Sequence, residues 1–330
     1  MIYKKKVLIT GASGFIGRFL VEEAVRRGYE VWAGVRASSS LEHLPEEHIR
    51  RINLKYQNTE SLSKQITEHV NQHGAWDYVI HNAGLTKTTR KSDFFEVNAE
   101  YTRRLLAALS PPDCQPKKFL LMSSLSVYGG GNEKTLEPIR LDDPQKPDTV
   151  YGKSKLLAEQ YVRGQDIIPY MILRPTGVYG PGDKDYRIEI ESIRAGFDFV
   201  AGIKPQHITF IYVKDLANVA FQALENEAIR NRVYFVADGD VYTDTQFARM
   251  IQEIILKKHV FRARIPLWLV YIVCLCSEWI GLISGKPQTL NTDKYKILKQ
   301  RNWICDTEPL RRELGFIPAY DLRKGLEETM

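Results

Sequence analysis

The chain has 330 residues, 44% of them hydrophobic and 26% charged, so it can form one large domain with a smaller lobe. Its formal net charge of +6 is spread over short runs, such as residues 4–6 and 103–104, rather than gathered in one block. Such runs are typical of solvated helix faces, and we predict no nucleic-acid partner. The positive balance favours an anionic small-molecule ligand.

The four cysteines lack the spacing of a zinc site, and two of them lie inside an apolar run where packing is the expected role. We therefore predict neither a metal site nor a disulfide framework. The N-terminal sequence "MIYKKKVLITGASG" passes directly from three lysines into a strand-like run, which leaves no room for a signal peptide. The expected location is the cytoplasm.

Short apolar runs alternate with amphipathic helical segments over the first 180 residues. The runs are "KVLITG" (6–11), "EVWAGVR" (30–36), "DYVIHNAG" (77–84), "KFLLMSS" (118–124) and "YMILRPTGVYG" (170–180). Strands that alternate with helices predict a parallel sheet with helices on both faces. The predicted fold class is α/β, a Rossmann-type doubly wound parallel sheet.

The pattern loosens after Gly180, and this change suggests a second, smaller unit. We assign residues 1–180, with a return segment at about 205–235, to the sheet domain. Residues of about 181–204 and 236–330 are assigned to a substrate-binding lobe over the carboxyl ends of the strands, where open α/β sheets bind their ligands.

The segment "IPLWLVYIVCLCSEWIGLIS" (265–284) is long and apolar enough to raise the question of a membrane. It contains one acid, Glu278, and a proline near its start, Pro266. Three interpretations stay open: a core or ligand-covering helix, which we favour, peripheral contact with a membrane, or a true span.

The loop "TGASGFIG" follows the first predicted strand and opens the next helix. Gly11 permits a tight turn, Gly14 lets the backbone approach a pyrophosphate, and Gly17 allows the helix to pack closely on the strand. These three glycines, with Ser13, Phe15 and Ile16 of the same loop, predict a dinucleotide-binding site.

The spacing of these glycines resembles that of the extended short-chain dehydrogenase/reductase family. In an NAD-binding fold an acid usually ends the second strand and bonds the ribose 2′-hydroxyl. Here Val35 stands at that place and Arg36 follows it, with Ser38 and Ser39 close behind. Because a guanidinium suits a 2′-phosphate, the predicted cofactor is NADP, with NAD as the alternative.

The sequence "YGKSK" (151–155) places Tyr151 and Lys155 four residues apart, on one face of a helix. A free tyrosine has a pKa of about 10, too high for a general base at neutral pH. A nearby ammonium lowers that pKa, so we expect Lys155 to tune Tyr151 for proton transfer.

Four segments strengthen the family resemblance: "YGKSK", "SSLSVYG" (123–129), "VNAEYTRRLL" (97–106) and "RPTGVYGPGD" (174–183). They look like elements of extended short-chain dehydrogenases in the same order, over roughly residues 6–220. The resemblance implies Ser124 as the catalytic serine beside Tyr151, and Asn98 as a residue that orders a water or the backbone near Lys155. We also assign to the cofactor site Asn53, Leu54, Ala83, Gly84, Pro175 and Val178, together with Tyr151 and Lys155 themselves.

The resemblance implies reversible hydride transfer at a carbinol or carbonyl carbon, with Tyr151 moving the proton. Leu125 and Ser126 stand where sugar dehydratases carry an acidic pair, which disfavours dehydration. Gly177 replaces an asparagine found in many nucleotide-sugar enzymes, and the apolar helix resembles that of 3β-hydroxysteroid dehydrogenase-like members. We therefore favour an apolar, steroid-like or other hydroxy or keto substrate.

Two other functions stay open. One is a nucleotide-sugar epimerase with tightly held NAD, since epimerisation needs the same serine, tyrosine and lysine. The other, more remote, is a regulatory protein that binds NADP without turnover. By analogy with the family, the chain is expected to form a homodimer through the helix of the Tyr-x-x-x-Lys motif and its neighbour.

Overall fold

The computed structural model describes residues 4–40, 42–45 and 48–330. In this part of the chain the strands are, in order, β1 (Lys6–Thr10), β2 (Glu30–Gly34), β3 (Ile49–Ile52), β4 (Tyr78–His81), β5 (Lys118–Met122), β6 (Tyr170–Pro175), β7 (Gly177–Tyr179), β8 (Phe197–Ala201), β9 (His207–Ile208), β10 (Phe210–Tyr212), β11 (Arg232–Val236), β12 (Tyr242–Thr243), β13 (Phe261–Ile265) and β14 (Asn302–Trp303).

The α-helices are α1 (Phe15–Arg26), α2 (Thr59–His73), α3 (Ser92–Phe95), α4 (Tyr101–Leu109), α5 (Val150–Arg163), α6 (Asp185–Ala195), α7 (Val213–Glu225), α8 (Asp244–Ile254), α9 (Leu267–Ser284), α10 (Thr292–Lys299), α11 (Glu308–Leu314) and α12 (Leu322–Thr329). A π-helical turn, Glu96–Glu100, joins α3 to α4, and short 3-10 turns lie at Pro112–Cys114 and Leu125–Val127.

Seven strands form one sheet in the order β11-β6-β5-β4-β1-β2-β3, and every neighbouring pair is parallel. Alternate residues of a strand point to opposite faces, so Val7 and Ile9 pack with α1 and α7 while Leu8 packs with α2 and α4. Both faces are covered, which is why the strands are almost continuously apolar. The predicted Rossmann-type fold is confirmed.

Two features of this sheet differ from the sequence pattern. Strand β3 carries Arg50 and Arg51 and was not predicted, because an edge strand needs no continuous apolar run. The seventh strand, β11, comes from the C-terminal side of the predicted return segment, and α7 before it packs against α1.

The remaining elements form three small sheets, β10-β7, β12-β9-β14 and β13-β8, with helices α6 and α8–α12. A separate apolar core holds α6, α8 and α12 together around Phe210 and Phe247. The chain leaves the large sheet at Pro175 and enters this region through β7.

The favoured interpretation of residues 265–284 is a core or ligand-covering helix, and the core part of it is wrong, whereas the ligand-covering part stays a prediction. Only 11% of α9 is buried, and its fully buried residues are Cys274 and Gly281. The helix lies on the body of the protein along a narrow face, and most of its apolar side chains are exposed. A uniformly apolar sequence has no polar face to orient it, so periodicity carried no information about burial.

Candidate active site

The strand order reverses between β1 and β4, and at this switch point their carboxyl ends open a crevice. Gly11 follows β1 with a φ of 64°, the left-handed region that glycine favours. A Cβ at Gly11 would lie 2.8 Å from the Cα of Ala83, in the loop after β4. The two loops that frame the crevice are thus in direct contact, and Ala83 N–H is fixed by the Thr10 hydroxyl at 3.0 Å.

Helix α1 begins at this crevice, and the residue that precedes it, Gly14, has no side chain to cap it. The first N–H groups of a helix lack intrahelical partners and form a natural anion site, to which Ser13, Phe15 and Ile16 contribute backbone. Gly17 is buried against the backbone of Gly11 and leaves no room for a Cβ, which explains the close packing of α1 on β1.

Arg18, which the sequence reasoning missed, supports the fit of a dinucleotide. Among the described residues its Nε is buried with no hydrogen-bond partner. Helical side chains lean towards the helix N-terminus, so this guanidinium lies near the predicted phosphate site. Its other nitrogens lie under Gly182, whose lack of a side chain leaves them space. The residues present therefore fit a bound pyrophosphate.

The end of β2 leads into an exposed turn that contains Arg36. Its backbone N–H donates to the Ser39 hydroxyl at 3.1 Å, which fixes the turn and leaves the guanidinium in solvent beside the crevice. Asn53 and Leu54 follow the neighbouring strand β3; Leu54 is buried, and the Asn53 carbonyl accepts a hydrogen bond from Gln65. These residues surround the predicted adenosine end of the site.

Ser124 and Tyr151 are brought together at the carboxyl end of β5. The Ser124 side chain caps the 3-10 turn that follows, accepting from Ser126 N–H at 3.1 Å. The Ser126 hydroxyl lies 2.9 Å from that of Ser124, a second hydroxyl that the sequence reasoning did not assign to the site. Burial raises the pKa of Tyr151 to about 12, while its hydrogen-bonding contact with Ser124 lowers it by less.

Lys155 lies one turn along α5 from Tyr151, and its ammonium donates to the Met122 carbonyl at 2.8 Å. Burial lowers the pKa of Lys155 to about 8, opposed by the nearby Glu159 carboxylate. The expected lowering of the Tyr151 pKa by Lys155 is therefore not seen in the protein alone. Both groups are buried, and burial disfavours the charged form of each.

Asn98 lies in the π-helical turn and is 1% exposed. Its side-chain oxygen accepts from Leu85 N–H at 2.7 Å, and its nitrogen donates to the Ser154 hydroxyl at 2.9 Å. A Cβ at Gly84 would lie 3.0 Å from this oxygen and 3.3 Å from Lys155 Nζ, so glycine is needed where the two side chains converge. Asn98 thus fixes the loop after β4 against the helix of the tyrosine and lysine.

Pro175 and Val178 lie at the exit of β6 and in β7. Between them, Gly177 makes room for the hydroxyl of Tyr186, which would collide with any side chain there. The ring of Phe94 meets the ring of Tyr151 edge to face, with centroids 6.2 Å apart. The Phe94 ring thus lies beside Tyr151, whereas the Tyr186 ring packs against Phe210 and Phe247.

A buried ionic cluster that the sequence reasoning did not identify supports the site. Arg174 is 1% exposed and makes a two-pronged contact with Glu159, at 2.9 and 2.6 Å. The Ser123 hydroxyl donates to the same carboxylate at 2.5 Å, and Arg174 donates to the Tyr128 hydroxyl at 2.7 Å. The cluster joins β5, α5 and β6 directly beneath Ser124 and Lys155.

In residues 4–40, 42–45 and 48–330, no group of three or more His, Cys, Asp or Glu side chains is arranged to hold a metal ion. The candidate site brings together hydroxyl, ammonium and amide groups, with a predicted dinucleotide site alongside.

Fold and crevice together define the class: an extended short-chain dehydrogenase/reductase, an enzyme with a Rossmann-type nucleotide-binding domain. Residues 7–237 match the profile of the NAD dependent epimerase/dehydratase family. The chain belongs to this family and binds NAD(H).

Similar proteins include both dehydrogenases and epimerases. A 3-beta-hydroxysteroid dehydrogenase of Mycolicibacterium neoaurum is 25% identical, over 98% of this chain and 90% of that protein. A UDP-glucose 4-epimerase of Vibrio cholerae is 26% identical, over 98% of this chain and 94% of that protein. The UDP-glucose 4-epimerase of Thermotoga maritima, solved with UDP-glucose, has the same fold, with a TM-score of 0.77, 21% identity and coverage of 98% and 97% of the two chains.

Proposed function

We propose that this protein is an oxidoreductase that prefers NADP(H) and interconverts a carbinol and a carbonyl on an apolar substrate. The observation that carries the proposal is the convergence of Ser124, Tyr151 and Lys155 at the switch-point crevice, with Phe94 packed against Tyr151. When bound, the dinucleotide supplies the hydride chemistry.

The proton is handled by the side chains of the protein. Ser124 and Tyr151 hold the substrate oxygen between their hydroxyl groups. Because the pKa of Tyr151 is raised to about 12, its phenol is protonated at neutral pH and is ready to donate to a developing alkoxide. This is the protonation state that carbonyl reduction requires; in the reverse direction Tyr151 accepts the proton.

Lys155 and Asn98 prepare this geometry. The Lys155 ammonium is anchored by the Met122 carbonyl and places a positive charge below the site. Asn98 fixes the Gly84–Leu85 backbone beside it. We assign to the cofactor the helix start at Gly14 and the guanidinium of Arg18, and to a 2′-phosphate the guanidinium of Arg36.

Two features of the site weigh against a sugar-nucleotide enzyme. Leu125 is buried and Ser126 is neutral, so no acid stands beside Ser124 to assist elimination. The Tyr186 hydroxyl fills the space beside Gly177. The steroid dehydrogenase and the UDP-glucose 4-epimerase relatives match the chain over the same share of its length, so these two relatives do not separate the two substrate classes.

A panel of steroids, ketones and aldehydes, with NADPH consumption as the readout, tests the proposal. We expect turnover of at least one apolar carbonyl compound, and a loss of about 100-fold or more in Tyr151→Phe. Tyr161→Phe is the matched control, because Tyr161 lies on the same helix but donates to Glu100, outside the crevice. Interconversion of a UDP-sugar without turnover of the panel would instead favour an epimerase, which the second relative supports.

A further inference from the structure

The surface of α9 and of the small sheet β8-β13 is unusually apolar for an exposed region. Apart from Ser284 at its end, every exposed residue of α9 is apolar: Trp268, Leu269, Tyr271, Ile272, Val273, Cys276, Trp279, Ile280, Leu282 and Ile283. Trp279 and Ile283 are 69% and 82% exposed. A contiguous patch of this kind marks an interaction surface.

The sheet that precedes α9 extends this patch. The parallel register pairs Phe261 with Phe197, so these two side chains point to the same face as Phe199. All three rings are exposed, while the opposite face carries the ion pair of Arg262 with Asp198, at 2.9 Å. The outer face of the sheet is thus apolar, and its charges are turned inward.

The single charged residue of α9 is also turned towards the protein. Glu278 accepts a hydrogen bond from Thr292 N–H at 2.9 Å and pairs with Lys91 at 3.5 Å. An 18-residue helix is about 27 Å long, and all of its outward side carries apolar or hydroxyl groups.

The charges around this patch are mainly positive. Residues 255–290 contain three lysines, at 257, 258 and 286, besides the two arginines of β13, which pair with Asp198 and Asp244 on the other face of the sheet. Lys258 is exposed just before β13 and Lys286 just after α9, so exposed cations stand at both ends of the patch. Anionic lipid headgroups complement such a rim, and the two exposed tryptophans suit the interface of a bilayer.

Both ends of α9 are held by the protein, which opposes a span. Before the helix, β13 is paired with β8 along its whole length. After it, the chain reverses at Gly285, and α10 packs back along α9, where the rings of Tyr271 and Tyr295 lie 5.0 Å apart. A helix held in this way lies in the plane of a membrane surface.

We propose that the patch formed by α9 and the outer face of β8-β13 docks onto an anionic lipid bilayer as a monotopic membrane contact. The inner side of α9 is linked to a segment that lines the crevice, because Glu278 pairs with Lys91, three residues before Phe94, which packs on Tyr151. The inference does not depend on the reaction proposed above.

Sedimentation with lipid vesicles tests the proposal on the purified full chain without substrate. The wild type is expected to bind vesicles that contain phosphatidylglycerol and phosphatidylcholine more tightly than vesicles of phosphatidylcholine alone. Added salt is expected to reduce this difference in affinity. Trp279→Glu with Ile283→Glu is expected to lose about ten-fold or more in partitioning. Ile317→Glu, at a residue 78% exposed outside the patch, is the apolar control and leaves binding unchanged.

A second pair of substitutions tests whether the exposed lysines contribute to binding of the anionic lipid. Lys258→Glu with Lys286→Glu is expected to lose about ten-fold in binding to anionic vesicles only, whereas Arg230→Glu, at an exposed site outside the patch, should have little effect. NADPH affinity and thermal stability verify that each variant is folded. The proposal is overturned if the wild type binds no vesicles, if the Trp279 and Ile283 variant binds as well as the wild type, or if that change only dissociates an oligomer in solution.

Discussion

The carboxylate of Asp293 in α10 accepts a hydrogen bond from Val150 N–H at 2.8 Å, at the start of the helix that carries Tyr151 one residue later. The same residue pairs with Lys296, whose ammonium donates to the Asp148 carbonyl at 3.0 Å. An acid at a helix N-terminus is favourable both for its charge and for the N–H that it satisfies. The C-terminal region thus fixes the position of the candidate catalytic helix.

Asp293 is therefore expected to be a positioning residue. Asp293→Ala should lower kcat about ten-fold through loss of a charge-assisted hydrogen bond, with less effect on NADPH affinity. Asp293→Asn keeps an acceptor oxygen and should restore most of the turnover. Steady-state kinetics on the wild type and the two variants measures these kcat values. Equal kcat values for Asp293→Ala and the wild type would show that the contact does not position the catalytic helix.

Arg36 is expected to set the preference between the two cofactors. Arg36→Glu should weaken NADPH binding about ten-fold or more, because a carboxylate repels the 2′-phosphate, and leave NADH binding similar or improved. Fluorescence titration with both dinucleotides measures the two affinities. The charge-matched control is Arg230→Glu, in the exposed loop before β11. If the wild type binds both cofactors equally, the NADP preference is wrong.

The pKa of Lys155, lowered to about 8, gives a pH dependence of stability. Below pH 8 the lysine is protonated in both the folded and the unfolded state, and the free energy of unfolding does not change on its account. Between pH 8 and about 10.4 the unfolded chain binds one more proton than the folded chain, so the contribution of Lys155 to stability rises with pH, by about 1.4 kcal/mol per pH unit.

Comparison of the wild type with Lys155→Met isolates this contribution. Urea unfolding at pH 7 and at pH 9 should show the wild type gaining stability relative to the variant as the pH rises. The two proteins share their other titrating groups, so the difference reports on Lys155. Parallel stability profiles across this range would mean that the lysine keeps its proton in the folded state.

The pair of Glu159 and Arg174 is expected to be a strong determinant of stability. Glu159→Gln leaves a buried guanidinium without its counter-ion and should cost about 3 to 5 kcal/mol of unfolding free energy. Glu191→Gln removes a partner from an exposed ion pair in α6 and should cost about 0.5 kcal/mol or less. If the two substitutions lowered the free energy of unfolding equally in denaturant titrations, burial would not explain the contribution of the Glu159–Arg174 pair to stability.

Much of the fold and of the candidate site could be predicted from local sequence. The strand runs, the glycines of 11–17 and the interval from Tyr151 to Lys155 depend on spacing along the chain, and spacing decides which residues share a helix face or a turn. The sequence could not place Glu159 against Arg174, or Asp293 against Val150, because these contacts join segments 15 and 143 residues apart.

The sequence by itself determined the type of sheet, and it predicted the dinucleotide loop and the proton-transfer pair, since each of these follows from short-range pattern. Only the tertiary structure decided that burial raises the pKa of Tyr151, where the sequence predicted that Lys155 would lower it, because this pKa depends on burial by residues from several elements. The tertiary structure also decided that α9 is exposed. The sequence of an apolar segment is the same whether neighbouring elements cover it or not, and here α10 and the rest of the protein cover one narrow face of α9.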